Sequence, residues 1–285
     1  MIGYDKQLYI LPFDHRTSFI KGLIGDKDVL SGQEIEFIKE QKRIIYEGFK
    51  KALDLGVPKE YAAILVDEEY GGEILADAKY EGFTTLLAVE KSGENELNFE
   101  YSDFENHLLS LKPTFAKALI HYGSKDSDDF KTRQKEKLKN LSDFCQKGGF
   151  KFLLEPLLNK EDYVFHSRLT KVLIEELQDF GVEPDVWKLE GFEKKEDYGA
   201  VMTMVKRNGR NKVGVVILGG GEDKSTVEKF IKVGAETEGV IGFAIGRTIF
   251  WPALLKLKEN QFNREDAVNE IARNYLYFYN IFITK

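Results

Sequence analysis

A lysine interrupts the apolar segment Val186-Trp187-Lys188-Leu189-Glu190. Such a segment is typical of a buried strand, where a charged lysine loses its hydration and is costly unless it is neutral or paired. A lysine that gives up its proton is a nucleophile that can form a Schiff base with a ketone. A structural ion pair between Lys188 and a neighbouring carboxylate is the alternative, because charge networks also occur in buried sites without catalysis.

Two more charged residues accompany other apolar segments. Lys117 lies within Thr114–Ile120, and Glu155 follows Phe150–Leu154. If these segments are neighbouring strands, Lys117 is expected to act as a second cation that lowers the pKa of Lys188. Glu155 is then placed to transfer protons while a carbinolamine forms and loses water. Neutralisation of one of the lysines by Glu155 is the alternative, and the two roles are compatible.

Further polar residues and glycines at strand ends predict a substrate-binding set. Asp14 is expected to hydrogen-bond substrate hydroxyl groups or to assist carbon–carbon cleavage, and Arg16 to hold an anionic group; a loop cap or a surface charge is the alternative for either. Glycines with free backbone N–H groups, followed by Arg247, predict a phosphate site. These glycines are Gly219, Gly220, Gly221 and Gly246.

A metal centre is the main chemical alternative, since metal-dependent barrel enzymes use His and carboxylate ligands at strand ends. The candidate ligands are His15 and His121, with Asp67, Glu68 or Glu155. No tight ligand motif accompanies the two histidines, so we expect neither a metal ion nor a cofactor. The sequence leaves the roles of His15, His121, Asp67 and Glu190 open.

The elements that must position these residues form a recurring pattern of apolar segments and longer charged segments with helical spacing. Eight apolar segments predict a single (β/α)8 barrel. The alternative is a doubly wound open sheet, but no glycine fingerprint follows strand one to support it. The predicted strands are Leu8–Phe13, Ala62–Val66, Thr84–Val89, Thr114–Ile120, Phe150–Leu154, Val186–Glu190, Val213–Leu218 and Gly239–Ile245.

The segments between the strands predict helices, and no linker or shift in composition divides the chain, so residues 1–285 are expected to form one domain. Only Glu94–Leu111 is ambiguous. The predicted helices are Gly32–Leu55, Glu69–Lys79, Ser127–Lys147, Lys160–Phe180, Glu193–Asn208, Asp223–Val233, Thr248–Glu259 and Glu265–Phe282.

The composition narrows the class of partner. The formal net charge of -7 and the scattered basic residues argue against nucleic-acid binding, and the sequence shows neither a signal peptide nor a membrane-spanning segment. One cysteine, Cys145, excludes an intramolecular disulfide and fits a cytoplasmic protein. The aromatic stretch Tyr275–Tyr279 is expected to pack against the barrel, with a contact in a homo-oligomer as the alternative.

Four segments resemble the 2-deoxy-5-keto-gluconate-6-phosphate aldolase domain that is fused to some bacterial inositol-catabolism kinases, and the resemblance spans almost the whole chain. That domain is similar in turn to the class I tagatose-bisphosphate aldolases. The kinase half has no counterpart here, so the substrate is expected to arrive already phosphorylated. The segments are Pro12–Arg16, Asp185–Gly191, Leu218–Gly221 and Gly242–Phe250.

The resemblance implies a role for each matching residue. Lys188 would form the Schiff base, with Lys117 and Glu155 beside it, and Asp14 would contact the substrate. The phosphate would bind at three further positions: Gly220, Gly246 and Arg247.

The implied reaction is cleavage of 2-deoxy-5-keto-D-gluconate 6-phosphate, a small-molecule sugar-phosphate substrate, to dihydroxyacetone phosphate and malonate semialdehyde. Three alternatives remain. They are an aldolase for another ketose phosphate such as tagatose 1,6-bisphosphate, a metal-dependent barrel lyase or isomerase, and a barrel that binds sugar phosphates without catalysis.

Overall fold

Eight parallel strands close into a barrel in chain order, and β8 pairs back onto β1. The computed structural model describes residues 2–27, 29–159, 162 and 166–284. The predicted (β/α)8 barrel is therefore confirmed. The strands are β1 Leu8–Pro12, β2 Ala62–Val66, β3 Thr84–Ala88, β4 Phe115–Tyr122, β5 Lys151–Leu158, β6 Val186–Glu190, β7 Gly214–Leu218 and β8 Val240–Ala244.

Helices surround the barrel, and several begin at polar side chains that cap free backbone N–H groups. Ser31 and Glu34 form a capping box at the start of α2, and Asp67 accepts a hydrogen bond from the backbone N–H of Tyr70 at the start of α3. The helices are α1 Thr17–Leu23, α2 Gly32–Asp54, α3 Glu68–Tyr80, α4 Phe104–Leu111, α5 Asp128–Gly148, α6 His166–Asp179, α7 Lys195–Val205, α8 Lys224–Ala235, α9 Arg247–Lys258 and α10 Arg264–Ile283.

Some predicted boundaries were wrong. The short helix α1 was not predicted, and α4 lies in the stretch that the sequence left ambiguous. The helix predicted over Glu193–Asn208 ends at Val205 and is followed by a 3₁₀ turn, because Asn208 adopts a left-handed conformation with φ 54°. Of the helix predicted to start at Lys160, residues 160, 161 and 163–165 lie outside the described residues.

The barrel interior is apolar, and the charged layer of the candidate site lies directly on top of it. Successive side chains of a strand point to opposite faces, so residues two positions apart share a face. Four charged residues each lie two positions after a buried residue of the barrel interior, so they point to the same inward face. The pairs are Ala88 with Glu90, Phe115 with Lys117, Leu153 with Glu155, and Val186 with Lys188.

The barrel closes where β1 and β8 approach very closely. Leu8 lies opposite Gly242 in the ladder, and a Cβ on Gly242 would stand 1.9 Å from the Leu8 carbonyl oxygen. Glycine is therefore required at this point of contact. Helix α10 covers the same side, since the Tyr275 hydroxyl donates a hydrogen bond of 2.6 Å to the carbonyl oxygen of Tyr9.

The aromatic stretch of α10 packs on the barrel, as predicted. Tyr275 and Phe278 are fully buried, whereas Tyr277 is 39% exposed. Within the described ranges, no helix combines the length and apolar character that crossing a membrane requires.

Candidate active site

A cavity of about 480 Å³ opens at the carboxyl ends of the strands, where barrel enzymes carry their chemistry. The structure brings all the sequence-predicted site residues together in its lining. They are Asp14, Arg16, Lys117, Glu155, Lys188, Gly219, Gly220, Gly221, Gly246 and Arg247.

Lys117 is the centre of a buried ion-pair cluster. Its Nζ atom lies 2.9 Å from Oδ2 of Asp14, 2.5 Å from Oε1 of Glu90 and 3.0 Å from Oε2 of Glu155. The Lys117 ammonium donates hydrogen bonds to Asp14 and Glu90, and Glu155 adds a third ion pair. Lys117 is thus a cation with a carboxyl group on each of three sides, and its expected role as a second cation beside Lys188 stays a prediction.

Lys188 is joined to the same cluster through Glu155. Its Nζ atom lies 2.8 Å from Oε1 of Glu155, and both side chains are buried. Glu155 therefore bridges the two lysines with its two oxygens. The ion pair that was the structural alternative for Lys188 is present, and it also supplies the contact through which a proton could leave the amine.

Ion pairing decides the protonation of the cluster. Burial opposes the charge of Lys117, but Asp14, Glu155 and Glu90 outweigh burial and raise the pKa of Lys117 well above its ordinary value. Burial alone would raise the pKa of Asp14 and of Glu155, yet the nearby lysines lower both pKa values below the usual range. Lys117 therefore stays charged, and Asp14 and Glu155 are ionised at neutral pH.

Sequence reasoning missed Glu90, the third carboxyl group around Lys117. Its Oε2 atom is buried and, among the described residues, has no hydrogen-bond partner. Burial is the main cause that raises the pKa of Glu90 above its ordinary value. The signal that could have identified Glu90 is its spacing of two from Ala88, which places it on the inward face beyond the end of β3.

Arg16 is held within the rim of the cavity. Its guanidinium donates a hydrogen bond of 2.7 Å to Oε2 of Glu100 and another to the backbone carbonyl oxygen of Glu90. The charge of Arg16 is therefore already paired. These contacts support a role in shaping the rim more directly than the predicted role of holding an anion.

Residues after β3 form a hairpin that makes one wall of the cavity. Lys91 donates its backbone N–H to the carbonyl of Asn98 at 2.8 Å, and Glu100 donates to the carbonyl of Val89 at 2.9 Å. The hairpin is also tied to α5, where Arg133 pairs with Glu96 at 2.8 Å. This wall is therefore built by the protein's own bonds.

The opposite wall consists of the glycines after β7 and the start of α9. Gly220 and Gly221 adopt left-handed φ angles of 60° and 85°, and a Cβ on Gly221 would stand 2.6 Å from a guanidinium nitrogen of Arg247. Gly246 precedes α9 without a side-chain cap. Arg247 is exposed and has no ion-pair partner in the described part of the chain. An unpaired cation at an uncapped helix start is suited to an anion.

The candidate metal ligands do not form a cluster. Lys42 and Asp67 form a fully buried ion pair, and His107 lies 3.1 Å from Glu68 on the outer surface. In the parts of the chain that the structure describes, no group of three or more His, Cys, Asp or Glu side chains is arranged to hold a metal ion.

Two histidines and Glu190 complete the lining of the cavity. Burial lowers the pKa of His15 to about 4 and also lowers the pKa of His121. Both imidazoles are therefore neutral at neutral pH. Glu190 lies 3.6 Å from Nε2 of His166.

Solved structures with a similar fold include an aldolase. A fructose-bisphosphate aldolase from Plasmodium falciparum has a similar structure, with a TM-score of 0.68 and 14% identity over 98% of this chain and 91% of that one. The protein Cgl0159 from Corynebacterium glutamicum is similar with a TM-score of 0.61 and 17% identity over 96% and 87% of the two chains. At these identities the likeness concerns the barrel fold.

A search of curated proteins gave no significant match. A family profile matches residues 3–284, nearly the whole chain. The chain therefore belongs to the family DUF2090, described as "Uncharacterized protein conserved in bacteria".

Proposed function

We propose that the chain is a class I aldolase whose Lys188 forms a Schiff base with a ketose phosphate. The observation that carries this proposal is the contact of 2.8 Å between the buried Lys188 amine and Glu155, inside a cavity that extends to Arg247. The leading substrate is 2-deoxy-5-keto-D-gluconate 6-phosphate, through the resemblance of the strand-end motifs. Its cleavage gives dihydroxyacetone phosphate and malonate semialdehyde.

The proposed reaction begins with transfer of a proton from Lys188 to Glu155. As the neutral amine attacks the ketone carbon, protonated Glu155 gives its proton to the carbonyl oxygen, and the Glu155 carboxylate then removes a second proton from the attached nitrogen to leave a neutral carbinolamine. Glu155 passes this second proton to the carbinolamine hydroxyl group, which leaves as water and gives the protonated imine. The protonated imine accepts the electron pair of the breaking carbon–carbon bond, while Asp14 removes the proton of the hydroxyl group beta to the imine. The aldehyde departs, and protonation and hydrolysis of the lysine-bound enamine release dihydroxyacetone phosphate.

Different parts of the cavity would bind the phosphate and hold the catalytic carboxylates. The phosphate is proposed to lie at the uncapped start of α9, against Arg247 and the backbone at Gly220 and Gly246. Lys117 would hold Asp14 and Glu155 in place without contacting the substrate itself, since its donors face carboxyl groups.

The contacts in the cluster favour this reaction over a metal-dependent one. A divalent ion among Asp14, Glu90 and Glu155 would need the position that the Lys117 ammonium fills. A barrel that only binds sugar phosphates would need the anion wall but would have no use for a lysine paired with a bridging carboxylate.

The first experiment is reductive trapping. Incubation with dihydroxyacetone phosphate followed by borohydride should attach the triose phosphate to the peptide that contains Lys188. The variant Lys188→Met should give no adduct, and Lys229→Met, which changes an exposed lysine of α8, should give the wild-type adduct. An adduct on another residue, or none with the wild type, would contradict the mechanism, and loss of activity with a chelator would favour a metal.

The choice of substrate needs a separate measurement. A panel of ketose phosphates, including 2-deoxy-5-keto-D-gluconate 6-phosphate and tagatose 1,6-bisphosphate, should be compared by kcat/KM. We expect the highest value for the first. A higher value for the bisphosphate would keep the Schiff-base mechanism and replace the substrate.

A further inference from the structure

We propose that Glu90 is a further substrate-binding residue, a neutral carboxylic acid that donates a hydrogen bond from Oε2 to the hydroxyl group of the ketone bound at Lys188. This role rests on the proposed function for the identity of the ligand. It explains a buried group that the reaction itself does not use.

The first argument is that one carboxyl oxygen of Glu90, Oε2, is buried and accepts no hydrogen bond from the described residues. Its side chain is 9% exposed, lines the cavity and pairs with Lys117 through Oε1 alone. Oε2 of Glu155 also makes no hydrogen bond with the described residues, but it lies 3.0 Å from the Lys117 ammonium, and Oε1 lies 2.8 Å from Lys188. Asp14 has Lys117 at one oxygen and His15 3.9 Å from the other.

The second argument is the balance of charge. Two lysines face three carboxyl groups in this layer, so one carboxyl group lacks a compensating cation. The groups that face Glu90 are Lys117 from β4, Asp14 from the end of β1 and Arg16 from the turn beyond it. Arg16 is paired with Glu100 and touches only the backbone of Glu90, so it does not neutralise the side chain.

A neutral Glu90 accounts for both observations. Protonation removes the uncompensated charge and turns Oε2 from an orphaned acceptor into a donor. Burial, which raises the pKa of Glu90, acts in the same direction. A buried O–H group without an acceptor is costly, so a ligand oxygen that accepts this hydrogen bond would bind more tightly than a ligand without it.

The central experiment compares two ketones by borohydride trapping. Dihydroxyacetone phosphate carries one free hydroxyl group, and acetol phosphate is the same ketone without it. We expect the wild type to need about tenfold less dihydroxyacetone phosphate than acetol phosphate for half-maximal trapping. Glu90→Leu should lose most of this preference, whereas Glu90→Gln, which keeps a neutral donor, should retain it.

The control is Glu105→Gln, which changes an exposed carboxylate on α4 and should leave the preference at the wild-type value. An unchanged preference in Glu90→Leu would overturn the proposal. If Glu90→Leu does not fold, the proposal is tested by the pH dependence of trapping in the wild type and in Glu90→Gln. Half-saturation by dihydroxyacetone phosphate should rise in the wild type as increasing pH ionises Glu90, and this rise should be missing in Glu90→Gln.

Infrared spectroscopy tests the protonation state without any ligand. The wild type at neutral pH should show the carbonyl band of a buried, protonated carboxylic acid, and Glu90→Gln should lack it. Equal spectra would contradict a neutral Glu90. Failure of trapping in the wild type would instead remove the proposed function, because the infrared result does not depend on Schiff-base chemistry.

Discussion

At the scale of single residues, Lys117 determines the electrostatics of the site. A charge this deeply buried is stable only because three carboxyl groups surround it, and those groups in turn depend on it. Lys188 differs, since it shares the carboxylate of Glu155 and, in the proposed reaction, transfers a proton to it. One lysine is therefore suited to fix geometry and the other to react.

Replacing Lys117 by methionine should destabilise the fold by about 3–5 kcal/mol at neutral pH, because uncompensated carboxylates would remain buried. The lysines lower the pKa values of Asp14 and Glu155 in the folded protein. These two carboxylates therefore stabilise the fold at pH values above their ordinary pKa, and this stabilisation is lost as the pH falls through the lowered pKa. The deficit of Lys117→Met should therefore shrink at about pH 4, where the freed carboxyl groups bind protons. Denaturant unfolding of the wild type and of Lys117→Met, at neutral pH and at about pH 4, measures this difference in the free energy of unfolding.

The comparison for this prediction is Lys50→Met. Lys50 is 37% exposed and pairs with Glu81 at 3.1 Å on the surface, so its loss should change stability by about 1 kcal/mol or less. If Lys117→Met lost as little stability as Lys50→Met, or if its loss did not depend on pH, the buried charges around Lys117 would not compensate one another.

The sequence predicted which residues form the site better than it predicted their contacts. Lys188 and Lys117 were identifiable because charges stand out in apolar strands, and the barrel prediction brought them to one end. Glu90 was missed because Lys91-Ser92-Gly93 follow it and make it resemble the start of a loop. The pairing of Arg16 with Glu100 joins residues far apart in the chain, and no local pattern encodes it.

At the scale of elements, strands β4 and β5 are longer than predicted. A polar His121 and a proline at position 156 were interpreted as strand ends, but β4 and β5 pair with each other as far as Tyr122 and Leu158. Proline is tolerated because β5 has no ladder partner in β6 beyond Leu154. His121 is tolerated because it lies on the inward face at the open cavity.

The contact between β1 and β8 gives a prediction for the closure of the barrel. Gly242→Ala would place a methyl group against the Leu8 carbonyl oxygen, and the two strands would have to separate. We expect a loss of about 1–3 kcal/mol or more in the free energy of unfolding, as for overpacked cores. Chemical denaturation measures the loss, and reduced protection of β1 amides from hydrogen exchange would locate it.

A matched substitution is available in α7. A Cβ on Gly199 would meet no atom within 4 Å beyond the backbone of its own helix, so Gly199→Ala should stabilise the helix by up to about 1 kcal/mol. If the two alanine variants behaved alike, the close approach at Gly242 would not be a steric requirement.

At the scale of the whole molecule, the order of the barrel strands followed from the alternation of apolar and helical segments alone. Periodicity predicts the number of strands, and short connections between parallel strands then leave few topologies. The ends of elements depend on tertiary contacts, as at Asn208, where a left-handed residue ends the helical path.

Stability should fall in mild acid because two partly buried histidines, His15 and His166, are neutral in the folded protein. Burial lowers the pKa of His15 and of His166 to about 4, below the ordinary value of 6.5. Unfolding lets these residues bind protons, so their contribution is complete above the ordinary pKa and is lost as the pH falls towards about 4. The free energy of unfolding, measured across this range, should decrease steadily.

The double variant His15→Gln and His166→Gln should show a flatter profile over the same range, whatever its stability at neutral pH. Glutamine keeps hydrogen-bonding capacity but does not titrate, so only the proton linkage is removed. A profile as steep as that of the wild type would assign the acid sensitivity to other groups.

The hairpin wall beyond β3 has a consequence for the thermodynamics of binding. Its backbone bonds and the pairing of Arg16 with Glu100 are made within the protein, so the protein's own contacts order this side of the cavity. A ligand that docks against it loses its own translational and rotational freedom but does not have to immobilise a loop. On this side of the barrel, the entropy lost on binding should therefore come mainly from the ligand and only to a small extent from ordering of the protein.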